Sequence, residues 1–576
     1  MPSPLPLRLR GRLEALAAAF LPGCLIGVHL AGLIFFLNPQ IPFTPGPVIR
    51  GVLFYGLLLG AASLVLHLPF IWRRPRRARR WLPWALTLAL AGAALLDWTH
   101  ASFFAYFLPP GINERLIKTA LWLSLGALMA FYTALLHTLQ RRRYGWRSRS
   151  AYVLLTLLSV YAMVERREAF RPQPSPSPRP ATVEPGQRPR LWVLGIDTAT
   201  LDALLPLAGE GRLPFLAGVL RQGAYGRLES ISPPRREALW TTLATGKYPY
   251  KHGVKGGRGF RADWIAPGAE LLIVPEGIGF RNWGIPGRRR APAPPPRQVL
   301  PLWEILPRLG IPSGVVGWPA APPLSPQLSF ALPESFFERP DEPAESRPPD
   351  LAERARLFRV RPEEIDPDLW ARFGSAPPRP VLEALSNDLW RQALSFNLLE
   401  ESQEVDAVFL TLPGLRQVSV RDFGGFAAVQ FEGAKDPELE EASERLAAWY
   451  GQLDAYLADL WKRQQGPRLL VLVSVYGVEG DRSWPQSRSS RRAGSFKRAP
   501  DGLLMLHGEG IRTGALLTEA RLVDVVPTLM YALGFPVARD LDGQVLTAAF
   551  DEDFLADHPL TFLPSYEALA KSPRAP

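Results

Sequence analysis

Long apolar runs separated by arginine-rich segments fill the first 165 residues, whereas the rest of the chain alternates short apolar strands with amphipathic stretches. A run of about 20 apolar residues is long enough to cross a bilayer as a helix. The pattern predicts four spans, at about Ala15–Leu37, Gly51–Trp72, Trp81–Trp98 and Leu116–Leu139. We count the shorter run Ala151–Val164 as a fifth, which would have to tilt or thin the bilayer. Residues 1–167 are therefore predicted to be a transmembrane region.

Charged residues between these runs predict the orientation of the chain. Fourteen Arg lie before the first run, in residues 73–80 and in residues 141–149, whereas loops 38–50 and 99–115 carry almost no charge. Cytoplasmic loops are the ones enriched in Lys and Arg. The sequence therefore predicts an integral membrane protein with a cytoplasmic N-terminus and an extracytoplasmic C-terminal domain.

The net charge of +12 comes from this half of the chain. Because the basic residues flank apolar runs, we expect a lipid bilayer as their partner and no nucleic acid. Four polar side chains, those of His29, His67, Asp97 and His137, lie in or near the runs, and such residues can mark a transport path. No internal repeat is visible, so an anchor is the favoured interpretation.

The remaining chain predicts a linker and one large α/β domain. Residues 168–189 are rich in Pro and form the linker. Buried-type strands at 191–197, 405–412 and 469–477, with an amphipathic helix between the last two, favour a mostly parallel, doubly wound sheet over 190–557. Residues 256–400 are predicted to form an inserted cap, and 558–576 a C-terminal tail.

Several blocks of this domain resemble the type I phosphodiesterase/nucleotide pyrophosphatase branch of the alkaline phosphatase superfamily. They include LWVLGIDTATLD (191–202), LPFLAGVLRQGAYGRLES (213–230) and WTTLATGKYPYKHGV (240–254), and the likeness extends over nearly all of 191–550. In layout alone, membrane helices followed by such a domain also resemble envelope phosphoglycerol and phosphoethanolamine transferases.

The resemblance implies a catalytic centre that this sequence lacks at most positions. Enzymes of the family use two metal ions, usually zinc, six Asp or His ligands and a Thr or Ser nucleophile. Asp197 matches the first ligand, but Arg236 stands at the nucleophile position. At the other ligand positions, where the family has Asp or His, this sequence has residues that cannot replace them as metal ligands: Arg416, Val420, Val475, Tyr476 and Phe496. The three His of the domain, His252, His507 and His558, are not spaced as ligands.

We therefore favour a membrane-anchored pseudoenzyme that binds a partner protein or an anionic envelope ligand, without cofactor or metal. Asp197, Arg236 and Arg416 form the candidate anion site, with a guanidinium paired to Asp197. Two alternatives stay open. One is an active phosphodiesterase, phosphohydrolase or phospho-group transferase with a rebuilt site, which would use zinc or manganese. The other is a transport or envelope-assembly component with an outer scaffold domain.

Overall fold

The chain divides into a helical unit and an α/β unit. The computed structural model describes residues 7–140 except 74, isolated positions between 146 and 161, and residues 188–570 except 258, 277–287, 290–296, 375–376 and 482–490. The helical unit comprises residues 1–171 and 258–293, and the α/β unit comprises residues 172–257 and 294–576.

Long apolar helices make up most of the helical unit. Their bounds are α1, Leu7–Leu37; α2, Pro45–Arg73; α3, Pro75–Phe103; and α4, Pro110–Leu139. The α1–α2 pair and the α3–α4 pair are each joined by a short turn that contains Pro, which cannot continue a helix.

The number of predicted spans was wrong. Within the described residues, three helices are long and apolar enough to cross a membrane, at Ala15–Leu37, Pro45–Pro69 and Pro110–Leu139. Helix α3 covers the third predicted span, but four Arg in its first two turns and Asp97 and His100 near its end make it less apolar. The fifth predicted span and the linker lie almost entirely outside the described residues.

Apolar side chains cover the outer faces of α2 and α4. Leu57 and Leu66 of α2 are 57% and 79% exposed, and Leu128 of α4 is 64% exposed. Contiguous exposed apolar surface of this size is unusual on a soluble protein, and it is the surface expected of helices in contact with lipid. The helical unit can therefore anchor the chain in a membrane.

A segment from the predicted cap belongs to the helical unit. Short antiparallel strands β3 (Phe260–Arg261), β4 (Glu270–Leu271) and β5 (Arg288–Arg289) pair with one another. Ala262 and Ile265 beside them are fully buried in one cluster with Leu30, Ile34 and Tyr55 of α1 and α2. Burial of these apolar side chains explains why this segment packs with the helices.

Asn38, directly after α1, fixes this segment by hydrogen bonds. Its Oδ1 accepts from the backbone N–H groups of Leu272 and Ile273 at 2.7 and 3.0 Å, and its amide donates to the Ile273 carbonyl at 2.7 Å. Farther along, the N–H of Glu276 donates to Nε2 of His100 at 2.9 Å. The segment thus contacts the C-terminal ends of both α1 and α3.

Strands that follow buried apolar patterns build the main sheet of the α/β unit. Among the described residues the sheet has the order β13-β2-β12-β9-β1-β8-β6-β7, and every neighbouring pair is parallel except those that involve β12. The prediction of a mostly parallel α/β sheet is confirmed. The strands are β1, Arg190–Ile196; β2, Ala224–Glu229; β6, Ser313–Val316; β7, Phe330–Leu332; β8, Ala407–Leu412; β9, Arg468–Ser474; β12, Gly502–Gly508; and β13, Ala515–Arg521.

Helices cover the sheet with their apolar faces. In the long helix Pro437–Arg463, the predicted amphipathic helix, the apolar positions along one face are buried: Leu446, Tyr450, Leu453, Leu457 and Leu460. The helices are α5, Leu201–Gly209; α6, Pro214–Gln222; α7, Arg236–Thr245; α8, Pro249–His252; α9, Leu302–Arg308; α10, Glu334–Glu338; α11, Leu351–Arg356; α12, Pro367–Ala371; α13, Arg379–Glu401; α14, Leu415–Glu432; α15, Pro437–Arg463; α16, Val525–Ala532; and α17, Glu552–Asp557. Short pairs β10 (Glu479–Gly480) with β11 (Gly494–Ser495) and β14 (Val537–Ala538) with β15 (Phe562–Leu563) complete the described strands.

Two predicted boundaries differ from the structure. Strands β6 and β7 lie inside the predicted cap, 256–400, yet they continue the main sheet because β6 pairs with β8. The predicted tail, 558–576, packs on the domain up to residue 570. There β15 pairs with β14, and Glu567 lies 2.7 Å from the buried Nζ of Lys247.

Candidate functional site

Asp197 lies at the carboxyl end of β1, in the middle of the main sheet. Strand β1 is hydrogen-bonded to β8 on one side and to β9 on the other. The carboxyl edge of such a sheet is where ligands bind in doubly wound folds. Asp197 is 1% exposed, and the next residue, Thr198, has a left-handed φ of 68°. A non-glycine residue in this conformation is strained, and such strain is commonest at functional sites.

Arg236 at the start of α7 pairs with Asp197. Its Nε donates to Oδ2 of Asp197 at 2.5 Å, and its Nη1 lies 2.6 Å from Oε1 of Glu334. Burial lowers the pKa of Arg236, but the charges of Asp197 and Glu334 outweigh that effect and hold the pKa well above its ordinary value. The guanidinium is therefore a fixed positive charge between two carboxylates.

A close approach between α7 and β1 brings Arg236 to this position. Trp240, one turn into α7, lies against the backbone of Gly195, where an added Cβ would be 2.5 Å from the indole ring. The indole Nε1 donates to Oδ1 of Asp197 at 3.4 Å. Only glycine at 195 leaves room for this contact, so the strand, the helix and the ion pair are linked through Trp240.

Three of the predicted ligand positions form an aromatic and cationic cluster beside the ion pair. The rings of Tyr476 and Phe496 are 5.4 Å apart, and the guanidinium of Arg416 lies 4.9 Å from the centre of the Phe496 ring. Burial raises the pKa of Tyr476. Asp197 raises it further, partly through a hydrogen bond, while Arg416 and Arg236 oppose the shift. The phenol is therefore close to both arginines and to Asp197.

Arg416 and Val420 do not join Asp197 as the family pattern would place them. In the described part of the chain Asp197 pairs with Arg236 and has no ion pair with Arg416, and Val420 is 37% exposed on α14. Val475 is fully buried in the core. Only Arg236 of the substituted positions contacts the Asp197 carboxylate through a charge.

Both arginines keep an unused donor. Over the residues that the structure describes, Nη2 of Arg236 and Nε of Arg416 are buried and have no hydrogen-bond partner. A buried N–H of a charged group without an acceptor is costly. The site could thus bind an acceptor that the chain itself does not supply.

Two buried charged residues of α13 belong to the same edge and were missed by the sequence analysis. Asp388 accepts from the N–H of Gly414 at 3.1 Å, and Arg391 donates to the carbonyls of Gly317 and Thr411. Burial raises the pKa of Asp388 to about 7, against the opposing effects of Arg391 and of the Gly414 N–H; Asp197 raises it further. The sequence pattern that could have identified Asp388 and Arg391 is their i, i+3 spacing within an apolar helix face. Glu334, which begins α10, gave no such signal.

The residues around Asp197 do not fit a pair of metal ions. Both of its carboxylate oxygens already accept hydrogen bonds, from Arg236 and Trp240, and a cation beside a guanidinium would be repelled. Across the described residues, no group of three or more His, Cys, Asp or Glu could hold a metal ion.

The histidines of the α/β unit have structural contacts instead. His252 is fully buried, and its Nε2 shares a hydrogen bond with the Thr242 hydroxyl at 3.0 Å. His507 and His558 pack on the rings of Trp461 and Phe554. None of them lies at the edge formed by Asp197 and Arg236.

Comparison with known families identifies this domain. Residues 191–480 match the model of the family described as type I phosphodiesterase / nucleotide pyrophosphatase. The match covers half of the chain, and the chain belongs to this family. No curated protein sequence matches it.

Several solved structures are similar to part of this chain. They include phosphonoacetate hydrolase from Sinorhizobium meliloti 1021, at 16% identity and a TM-score of 0.32, over 52% of this chain and 58% of that protein. A phosphonate monoester hydrolase from Silicibacter pomeroyi is 15% identical with a TM-score of 0.33, over 64% of this chain and 78% of that protein. Murine ectonucleotide pyrophosphatase / phosphodiesterase 5 is 11% identical with a TM-score of 0.33, over 60% of this chain and 96% of that protein. The chain thus spans little more than half the length of the first of these proteins, and likenesses this weak support no conclusion about activity.

Proposed function

We propose that this member of the type I phosphodiesterase / nucleotide pyrophosphatase family is a membrane-anchored binding protein. In this proposal the edge of the sheet that carries Asp197 holds an anionic ligand of the cell envelope or an acidic group of a partner protein. The protein does not hydrolyse phosphate esters there, and it needs no metal.

The Arg236–Asp197 ion pair is the observation that carries the proposal. A guanidinium stands where the family has its nucleophile, and it occupies the one carboxylate that matches a metal ligand. Without a hydroxyl nucleophile and a metal ion, the in-line displacement of the family loses both its attacking group and its charge stabilisation.

Unused donors at the site support binding of an anion. Nη2 of Arg236 and Nε of Arg416 are buried without a partner within the described chain, and both flank Tyr476. Helix α7 begins at Arg236 without a side-chain cap, so its first N–H groups add positive potential. An anion between these groups would satisfy donors that the fold leaves open.

Contacts inside the helical unit bear on the orientation of residues 272–276, which belong to that unit. If the N-terminus is cytoplasmic, the C-terminal ends of α1 and α3 lie outside, and residues 272–276 contact both ends. Leu139 ends α4 on the opposite side.

The function is tested with the full-length protein in detergent. We expect no turnover of bis(p-nitrophenyl) phosphate, with or without added zinc or manganese, and saturable binding of inorganic phosphate or sulfate in calorimetry. Arg236→Gln and Arg416→Gln should each weaken that binding at least ten-fold. Arg227→Gln, which breaks a half-exposed pair with Asp202, is the matched control and should bind as the wild type does. Metal-dependent turnover that Asp197→Asn abolishes would instead establish the enzyme hypothesis.

The orientation is tested with single cysteines in a Cys24→Ser background. A membrane-impermeant maleimide added to intact cells should label Asp263→Cys, in the 260–271 hairpin, and should label Gln140→Cys only after permeabilisation. The reverse pattern would place the 260–271 hairpin in the cytoplasm and overturn the proposed orientation.

A further inference from the structure

Residues 491–498, which we call the basic strip, carry four positive charges and no negative charge. Their sequence is RRAGSFKR, and the cations are Arg491, Arg492, Lys497 and Arg498. The strip belongs to the connection between the end of β9 and the start of β12, which runs antiparallel to β9. It therefore lies at the carboxyl edge of the sheet, the edge that carries Asp197. The same connection contains three acids outside the strip: Glu479, Asp481 and Asp501.

Close backbone contacts hold the basic strip on α14. A Cβ added to Gly424 of α14 would lie 2.5 Å from the carbonyl oxygens of Arg491 and Ala493. A Cβ added to Gly494 of the strip would lie 2.3 Å from the carbonyl oxygen of Ser419. The pairing of β10 with β11 holds the strip from another side. The backbone of the strip is thus fixed by neighbouring elements, so its cations have a defined position on the fold.

Phe496 connects the basic strip to the anion site. Its ring lies 4.9 Å from the guanidinium of Arg416 and 5.4 Å from the ring of Tyr476. The strip thus begins where the proposed anion site ends. A ligand with one anionic group would use the donors of Arg236 and Arg416 only, whereas a longer anionic ligand could also reach the strip.

Arginines outnumber carboxylates where the strip meets α14. The buried carboxylate of Asp422 pairs with Arg445 at 2.8 Å, and Arg445 also pairs with Glu441. Arg421 of α14 and Arg492 of the strip lie farther from Asp422, at 3.7 and 3.6 Å. Their Nε groups are buried and have no hydrogen-bond partner among the described residues. Three arginines thus face two carboxylates, and two donors stay unused.

The outer cations of the strip have little counter-charge. Arg498 is 70% exposed and lies 3.9 Å from Glu479, beyond hydrogen-bond distance. Arg491 and Lys497 are exposed. Within the part of the chain that the structure describes, the ion pairs of the strip involve Arg492 and Arg498 only. The strip therefore presents positive charge to solvent directly beside the anion site.

We propose that the basic strip extends the anion site and that the ligand is a chain of phosphate groups. This inference rests on the proposed function: one phosphate group lies between Arg236 and Arg416, and the groups that follow lie along the strip. Guanidinium groups bind phosphate oxygens bidentately. A tetrahedral phosphate group can accept from Arg421 and Arg492 together, although they come from different elements. The two oxygens of a carboxylate lie in one plane and fit such donors less well.

Calorimetry with the full-length protein in detergent compares a short inorganic polyphosphate with orthophosphate. We expect polyphosphate to bind at least ten-fold more tightly at low salt. The difference should shrink at high salt, because salt screens exposed charges. Equal affinities of the two probes would overturn the extension to the strip and leave the proposed function standing. Binding of neither probe would overturn both.

A double variant separates the strip from the anion site. Arg491→Gln with Lys497→Gln removes two exposed cations without breaking an ion pair of the described chain. It should lose most of the advantage of polyphosphate and bind orthophosphate as the wild type does. Lys462→Gln with Arg512→Gln is the matched control, since both cations are exposed and lie at the opposite edge of the sheet, before β9 and after β12. Unchanged polyphosphate affinity in the strip variant would refute the proposal.

Polyglutamate tests whether the ligand chain carries phosphate or carboxylate groups. We expect it to bind at least ten-fold less tightly than polyphosphate under the same conditions. Binding as tight as that of polyphosphate, and lost in the Arg491→Gln, Lys497→Gln variant, would mean that the strip binds an acidic peptide. That result would overturn the assignment of a phosphate chain.

Discussion

Two aspartates with the same burial, Asp197 in the α/β unit and Asp97 in the helical unit, have opposite surroundings. Each is 1% exposed. Asp197 accepts hydrogen bonds from Arg236 and Trp240, whereas Asp97 has no partner in the described structure. Burial alone therefore does not decide the charge of a carboxyl group. The decisive difference is whether a neighbouring element presents a donor to it.

The donors at Asp197 are held by secondary structure. Arg236 and Trp240 lie one turn apart on α7, and Glu334 holds the other side of the guanidinium. Pre-positioned donors of this kind stabilise a buried charge at little additional cost in side-chain entropy. In the helical unit, small and apolar side chains pack around α3, and these side chains have no hydrogen-bond donors.

The sharpest test of this difference replaces each aspartate by asparagine. Asp197→Asn should lower the free energy of unfolding by about 3–5 kcal/mol, because it leaves a buried guanidinium with only Glu334 as its counter-charge. Asp97→Asn should cost far less, since it breaks no ion pair. Denaturant titration of the full-length protein in detergent, followed by circular dichroism, measures both. Equal losses would show that the two sites do not differ in charge.

Moving α7 away from β1 should disrupt the same ion pair indirectly. Gly195→Ala places a Cβ 2.5 Å from the Trp240 ring and 2.9 Å from the Thr411 side chain. Overpacking of a buried site by one methyl group costs up to about 3 kcal/mol. The same titration should show this loss, and anion binding should weaken with it because Arg236 moves. Gly451→Ala, in open space on α15, is the matched control.

The contribution of the buried Asp388 to stability should depend on pH. Its pKa rises from an ordinary 3.8 to about 7 in the folded protein. The folded state therefore binds the proton more tightly, so the contribution of Asp388 to stability is present at low pH and is lost as pH rises through 7. Between pH 5 and pH 7 the loss should be about 2 kcal/mol. Asp388→Asn should remove this part of the pH dependence, and an unchanged slope would contradict it.

A third aspartate isolates the effect of exposure. Asp202 lies 2.5 Å from Nη2 of Arg227, the same separation as in the Asp197–Arg236 pair, but both side chains are more than 40% exposed. Exposed ion pairs contribute about 0.2–1 kcal/mol because water solvates and screens the charges. Asp202→Asn should therefore lower stability by less than about 1 kcal/mol. A loss as large as that of Asp197→Asn would mean that distance matters more than burial.

Parts of the site followed from local sequence. The apolar strand that leads into Asp197 was predicted, since it depends on residues adjacent in the chain. The presence of Glu334 and Asp388 at the site was not predictable. They lie 137 and 191 positions after Asp197 in the chain, and only the order of strands in the sheet brings their helices to the same edge.

The sequence by itself determined the division into an apolar helical half and an α/β half, and the mostly parallel sheet. These features depend on hydrophobic periodicity and residue identity, which are local properties. Only the tertiary structure decided that residues 260–276 pack with α1 and α2, that Arg236 rather than Arg416 neutralises Asp197, and that Asp97 has no partner in the described chain. Each of these outcomes depends on which distant elements meet, and long-range packing selects among contacts that local sequence leaves equally available.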